Sequence, residues 1–208
     1  MLTRSTVLPT FLATSLLVLA CTPSEAKDPT KAMEMMKKPP TKNGPRDVAI
    51  LGAGCFWGVE TWMMKLPGIV EVDVGYAGGK APKISYEQVT TGTTGHAEAV
   101  RIVYDPSVVS YDDMLTWFFK IHDPTTKDRQ GNDDGPQYRS AIFPMTPGQA
   151  KSAQAIKQRV EKSGAWKKPI TTTIESNPIW VRAEDYHQDY LIKHPGGYDN
   201  HFARDVAF

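Results

Sequence analysis

Asp47-Val48-Ala49-Ile50-Leu51-Gly52-Ala53-Gly54-Cys55-Phe56-Trp57-Gly58-Val59-Glu60-Thr61-Trp62-Met63-Met64-Lys65 reads as a strand, a glycine turn and a helix in direct succession. Residues 47–51 form an apolar, strand-like run, residues 52–54 the turn, and residues 59–65 carry a helical pattern. Cys55 stands at the junction, on the first turn of the helix. Unpaired backbone N–H groups and the helix dipole favour an anion there. That placement predicts a lowered thiol pKa and a thiolate at neutral pH. The glycine turn lets other groups approach the sulfur closely, and the rings of Phe56 and Trp57 can wall an apolar pocket beside it. The competing reading of these residues is a small buried cysteine among core aromatics, packed and inert.

Outward from that unit the pattern keeps alternating between the two periods. Residues 69–74 alternate as a half-buried strand, and residues 75–79 end it in a loop that runs on through Pro82. Residues 97–104 read as a strand stopped by Asp105-Pro106. Ser110 is a helix N-cap with Asp113 three residues on, ahead of a helix over 114–121. Residues 123–137 form a long polar loop, of the kind that is commonly functional. Residues 138–143 read as a strand. Residues 146–164 read as an amphipathic helix with Thr146 as cap, Pro147 in the first turn and Gly164 at the end. A β-branched strand over 169–175 and a last helix over 182–193 complete the set, followed by Pro195-Gly196-Gly197 and a tail. Strands alternating with helices, with no internal repeat, give a single α/β (α+β) domain. The architecture this predicts is a two-layer βαβ plait with helices packed on a mixed sheet.

The N-terminus has a different character. Residues 1–26 read as an export signal: Arg4 is the basic start and residues 7–20 the apolar run, too short to span a bilayer. Two processing outcomes compete. Leu17-Val18-Leu19-Ala20-Cys21 has the form of a bacterial lipobox, which makes Cys21 a lipidation site and the N-terminus a membrane tether. Ser24-Glu25-Ala26 offers ordinary cleavage instead. Both place the protein outside the cytoplasm, in the periplasm or on the membrane of a bacterium. Residues 27–45, rich in lysine and proline, form a flexible tether, and residues 46–208 form the domain.

Charge narrows the partners. The chain has 24 Lys and Arg against 23 Asp and Glu, with no basic block, which argues against nucleic acid. Its two cysteines are Cys21 in the leader and Cys55 in the turn, so a structural disulfide is not expected. A lone thiol in an oxidising compartment points to reactivity. None of the five histidines has the spacing of a metal site, and no metal is expected.

A second set of residues lies at loop ends or strand starts, where a scaffold aims side chains at one point. It comprises Tyr86, Glu98, Asp133 and Tyr138. A carboxyl in an otherwise apolar strand is desolvated, which raises its pKa and suits it to donate a proton near neutral pH. Two phenols can donate hydrogen bonds to an oxygen that gains negative charge. The alternative is a solvated glutamate with two amphipathic tyrosines. Arg139 reads as a structural partner of a carboxylate.

Five blocks together carry a resemblance. They are 54–58 (Gly-Cys-Phe-Trp-Gly), 75–79 (Gly-Tyr-Ala-Gly-Gly), 94–98 (Thr-Gly-His-Ala-Glu), 131–140 (Gly-Asn-Asp-Asp-Gly-Pro-Gln-Tyr-Arg-Ser) and 183–188 (Ala-Glu-Asp-Tyr-His-Gln). In this order they resemble the peptide methionine sulfoxide reductase A family. The resemblance implies thiol-dependent reduction of methionine S-sulfoxide, in proteins and as the free amino acid, by a monomer without a bound cofactor. It makes Cys55 the nucleophile at sulfur and Glu98 the acid at oxygen, with Tyr86 and Tyr138 hydrogen-bonded to that oxygen. Phe56 and Trp57 would hold the methyl group, and Asp133 would bind substrate main chain and order the pocket.

One departure stands out. Many family members have recycling cysteines in a glycine-rich C-terminal tail, whereas residues 196–208 here contain none. The implied cycle therefore ends with a Cys55 sulfenic acid reduced by an external thiol: a thioredoxin-like protein, glutaredoxin or glutathione. Two other classes remain in competition, a thiol peroxidase and a lipoprotein module that binds methyl-bearing peptides. Glu98 separates them, since a peroxidase gains little from an acid beside its sulfur and a pure binder needs no thiol.

Overall fold

A computed structural model describes residues 39–176 and 178–208. The export signal with Cys21, and the tether up to residue 38, lie outside the described residues. In chain order the elements are β1 (Asp47–Ala53), α1 (Phe56–Met63), β2 (Ile69–Ala77), α2 (Tyr86–Thr90), β3 (Ala97–Tyr104), α3 (Tyr111–Ile121), β4 (Arg129–Gln130), β5 (Asp133–Asp134), a 3-10 turn (Pro136–Tyr138), β6 (Ser140–Ile142), α4 (Pro147–Ser163), β7 (Thr173–Ile174), β8 (Trp180–Arg182) and α5 (Tyr190–Lys193).

The continuous apolar run of β1 is explained by its place inside the sheet. Ala49, Leu51 and Ala53 face the main core and Ile50 faces a smaller cluster on the other side, so neither face tolerates polar residues. The six strands lie in the order β7-β6-β1-β3-β2-β8. β3 is inserted between β1 and β2 and runs antiparallel to both, so α1 carries the chain across it. Among the described residues only the β6–β7 pair is parallel. The result is the mixed two-layer sheet that the alternating periods predict. Met63 of α1, Met114, Leu115, Phe118 and Phe119 of α3, and Ile156 and Val160 of α4 pack on the main face. Each such fully buried side chain contributes about 1.5–3 kcal/mol.

Both predicted helix caps are present. Ser110 accepts the Asp113 N–H at 3.1 Å, and Thr146 accepts that of Gln149 at 3.1 Å. Gly164 closes α4 at φ 68°, a left-handed conformation that suits glycine.

Several predicted segments differ from the structure. The helix expected over 182–193 shrinks to α5, because residues 180–182 join the edge of β2 as β8. Beyond that edge the Gln188 side chain takes over a strand's role: its amide bonds both the N–H (2.9 Å) and the carbonyl (3.0 Å) of Val74. A side chain turned inward for that purpose, with Asp189 at φ 53°, cannot sit in a continuous amphipathic helix. The strand expected over 169–175 is ordered as strand only at β7. In the segment read as a strand over 138–143, Tyr138 instead closes the 3-10 turn ahead of β6. The polar loop of 123–137 folds on itself through the β4–β5 hairpin. Finally, Thr41 donates from both its N–H and its hydroxyl to buried Asp105, so the last part of the segment assigned to the tether is pinned to the domain.

Candidate active site

The site follows from strand register. Leu51 opposes Val100, which sets Glu98 near the start of β3 beside the turn that ends β1. Gly52 permits this approach: a Cβ there would lie 2.9 Å from the Glu98 carbonyl oxygen. Gly54, at φ 96°, turns the chain where any side chain would strike Gln130. Cys55 then stands at the N-cap of α1, buried and unpaired in any disulfide.

Glu98 is 2% exposed and accepts the Phe56 N–H at 3.0 Å through Oε2. Burial, assisted by the charge of Asp133 and opposed by that N–H, lifts its carboxyl to about 8. The carboxyl is therefore protonated near neutral pH, as its place in an apolar strand predicts. Burial also raises the Tyr86 phenol, with help from Glu98 and Cys55, to about 12. Tyr138 is raised by burial and then by Glu98 and Tyr86. Both phenols thus remain hydrogen-bond donors over the working range.

Cys55 departs from the sequence-based expectation. Its thiol lies well above the ordinary value, pushed up first by burial and then by Glu98 and Asp133. The N–H groups of Trp57 and Gly58 act in the predicted direction, but desolvation outweighs them. Cys55 and Glu98 are therefore a coupled pair. A charged Glu98 opposes the thiolate, whereas a neutral Glu98 permits it, so the acid form of one favours the nucleophilic form of the other.

The two residues after Cys55 belong to an aromatic cluster. Phe56 is buried against Tyr76 and His187, with ring centroids 5.9 and 5.1 Å away. Trp57 stacks on Tyr190 at 3.8 Å, with 11° between the planes. Its indole N–H donates to His187 Nδ1 at 3.2 Å, which leaves the His187 proton on Nε2, a buried donor with no partner among the described residues. Glu184 holds the opposite side by accepting from the Tyr76 hydroxyl (2.8 Å) and the Tyr86 N–H (3.0 Å).

Asp133 acts differently from the expectation of an open substrate ligand. Its carboxylate accepts from the Tyr198 hydroxyl (3.0 Å) and from Asn200 Nδ2 (2.7 Å), so both oxygens already hold the C-terminal segment. Arg139 is structural, as expected: it forms a forked pair with Glu175 at 3.1 and 3.2 Å. A surface groove of about 510 Å³ beside Arg159, Lys162 and Phe208 contains none of these groups.

The structure thus gathers Cys55, Phe56, Trp57, Tyr86, Glu98, Asp133 and Tyr138 from five separate segments. Sequence reasoning assigned no role to Glu184, His187, Tyr190, Tyr198, Asn200 or His201. Two of these lie in the block 183–188, which was recognisable as a motif. The C-terminal residues had drawn notice only for their lack of cysteine.

A family profile described as peptide methionine sulfoxide reductase matches residues 47–206. The chain belongs to this family. It is an oxidoreductase that carries out thiol-dependent reduction of methionine sulfoxide, which removes the peroxidase and binding-module alternatives. Among relatives named peptide methionine sulfoxide reductase MsrA, that of Methanoculleus marisnigri is 50% identical over 149 residues, covering 72% of this chain and 91% of its own. That of Methanosarcina mazei is 52% identical over 145 residues, covering 70% and 69%. Solved structures of the family share the fold. Mxr1 of Saccharomyces cerevisiae, described as in reduced form, superposes with a TM-score of 0.73 at 38% identity, covering 77% of this chain and 93% of that one. Methionine sulfoxide reductase A of Corynebacterium diphtheriae gives 0.70 at 37% identity, covering 82% and 88%.

Proposed function

We propose that Cys55 is the nucleophile of this reductase and that Glu98 is its acid. The observation that carries this reading is the 3.0 Å contact from the Phe56 N–H to Glu98 Oε2, which holds a buried acid against the residue that follows the cysteine. A sulfoxide is pyramidal and polarised, with a hard oxygen, a soft sulfur and a small methyl group. The Cys55 thiolate attacks the sulfur while Glu98 delivers its proton to the oxygen, and Tyr86 and Tyr138 donate hydrogen bonds to that oxygen as its charge grows. Phe56 and Trp57 enclose the methyl group. Asp133 braces the pocket through Tyr198 and Asn200.

The sulfoxide oxygen leaves on Cys55. Thiolate, sulfoxide and the Glu98 proton become methionine, a Cys55 sulfenic acid and the Glu98 carboxylate. One external thiol then displaces water to form a mixed disulfide with Cys55, and a second releases Cys55 as the thiol. The reductant we propose is a thioredoxin-like dithiol protein, with glutaredoxin or glutathione as the alternatives. Yeast Mxr1 has been solved in complex with Trx2, which supports this choice. Substrates are oxidised proteins and free methionine sulfoxide, and fixing three substituents at sulfur favours the S epimer. Incubation with each epimer and a dithiol tests the reading. Turnover of the S epimer alone is expected, and equal turnover of the R epimer would overturn the three-point pocket.

The leader composition supports export, either as a lipoprotein anchored through Cys21 or as a soluble periplasmic protein. Membrane partition that is lost in Cys21→Ala supports the anchor. Recovery of a soluble native protein that begins at Lys27 would replace it with ordinary cleavage.

A further inference from the structure

His201 is 6% exposed and lies directly under the Cys55 turn. Its Nε2 is 2.7 Å from the Ala53 carbonyl oxygen, and its Nδ1 is 2.8 Å from Asp199 Oδ1. Both partners are acceptors, so both ring nitrogens must donate, and only the imidazolium has two N–H groups. A protonated Asp199 would be the other solution, but its oxygens are already occupied as acceptors. Oδ1 also takes the His201 backbone N–H at 2.8 Å, and Oδ2 takes the Trp62 indole N–H at 3.1 Å. Although partial burial pushes the Asp199 carboxyl up, the bonds from His201 and Trp62 hold it below its ordinary value. This hydrogen-bond geometry is that of a carboxylate paired with an imidazolium.

Its orientation matters. The negative end faces Trp62, near the far end of α1, and the positive end faces the Ala53–Gly54 turn. Gly58 makes room for it: a Cβ there would collide with His201 Nδ1 and Asp199 Oδ1. We propose that His201 is a positioning residue for Cys55: with its charge secured by Asp199, it grips the Ala53 carbonyl, holds the turn, and favours the thiolate. This rests on Cys55 being the nucleophile. It adds a positive charge to the help that the Trp57 and Gly58 N–H groups already give the thiolate, against Glu98 on β3 and Asp133 on β5, which both disfavour it; Tyr86, Tyr138 and Tyr198 add no positive charge. His201 is also within electrostatic reach of His122, the C-cap of α3, whose burial keeps it neutral and whose surroundings include Arg204 and Asp123.

The test reads Cys55 and His201 directly, without sulfoxide turnover, so its failure is separable from failure of the nucleophile assignment. In the reduced protein, the rate of Cys55 alkylation by iodoacetamide is followed by mass spectrometry from neutral pH up to the highest pH at which the native fold persists, so that the raised thiol is covered. His201→Gln can still donate to Ala53 but carries no charge. Its alkylation midpoint should rise by about half a pH unit, roughly a threefold loss of thiolate on the low-pH side. Asp199→Asn, which removes the anion, should shift the midpoint in the same direction. Near-UV circular dichroism identifies variants that keep the native fold. An unchanged midpoint in a folded variant would reduce the pair to a tie for the tail. Independently of any variant, nitrogen-15 NMR of the native protein at pH 7 should show both His201 ring nitrogens protonated. A neutral tautomer there would overturn the proposal.

Discussion

Replacing Glu98 by Gln removes the acid while keeping an acceptor for the Phe56 N–H at 3.0 Å. Two consequences can be worked out, one for stability and one for rate. Burial moves the Glu98 carboxyl from 4.5 to about 8. The folded state therefore binds more protons than the unfolded chain between those values, and stability falls as pH rises through that window. The full displacement corresponds to at most about 5 kcal/mol lost by pH 9, and relaxation of the site reduces it. Glutamine does not titrate, so the variant should match the parent near pH 4.5 and exceed it increasingly up to pH 8 or above. Urea denaturation midpoints of both proteins at five pH values measure the difference. In catalysis the variant should lose roughly 10²–10⁴-fold at pH 7. Solvent acid replaces part of the lost donor at low pH, so the parent-to-variant rate ratio should widen from pH 5 to about 8 and then level off as the parent's own acid is lost. A stability difference that stays flat with pH would refute the buried neutral carboxyl, and a flat rate ratio would remove Glu98 from the acid role.

Further outcomes follow from the same geometry. Cys55→Ser should abolish turnover with the fold intact, because an alcohol at neutral pH is a far poorer nucleophile than a thiolate; retention of more than about 1% of parent activity would mean that another residue attacks. Without reductant, one equivalent of methionine sulfoxide should yield one methionine per protein and a Cys55 that reacts with dimedone, and a Cys21–Cys55 disulfide detected instead would draw the tether into the cycle. Gly58→Ala should destabilise the domain by about 1–3 kcal/mol, since its Cβ meets His201 and Asp199; an unchanged thermal midpoint would contradict the tight packing of the tail on α1.

The elements that sequence alone described correctly are those whose cause is local. The apolar run of β1, the alternation in β2 and β3, and the caps at Ser110 and Thr146 depend on neighbouring residues. The structure reproduces them with small changes of boundary. Misreading set in where a partner distant in the chain decides the outcome. Residues 182–193 have helical composition, but Gln188 bonds the Val74 backbone 114 residues away, and Trp180 to Arg182 pair with β2. A periodicity count has no access to either partner.

The candidate site divides along the same line. Sequence by itself determined the single two-layer domain, the strand-turn-helix that presents Cys55, and the residue types a sulfoxide requires. It also carried the order of blocks that marks the family. Tertiary structure alone decided the electrostatics. The helix N-terminus should lower the Cys55 thiol, yet burial with Glu98 and Asp133 raises it, and burial is a property of everything packed around a residue. It also decided that Asp133 is occupied by Tyr198 and Asn200, that His187 supports Trp57, and that the His201 ring bridges Asp199 and the Ala53 carbonyl under the Cys55 turn. Periodicity and capping act within a few residues, so one chain displays them. Desolvation and hydrogen-bond pairing act here between residues from 42 to 148 positions apart, and only the folded chain brings those together.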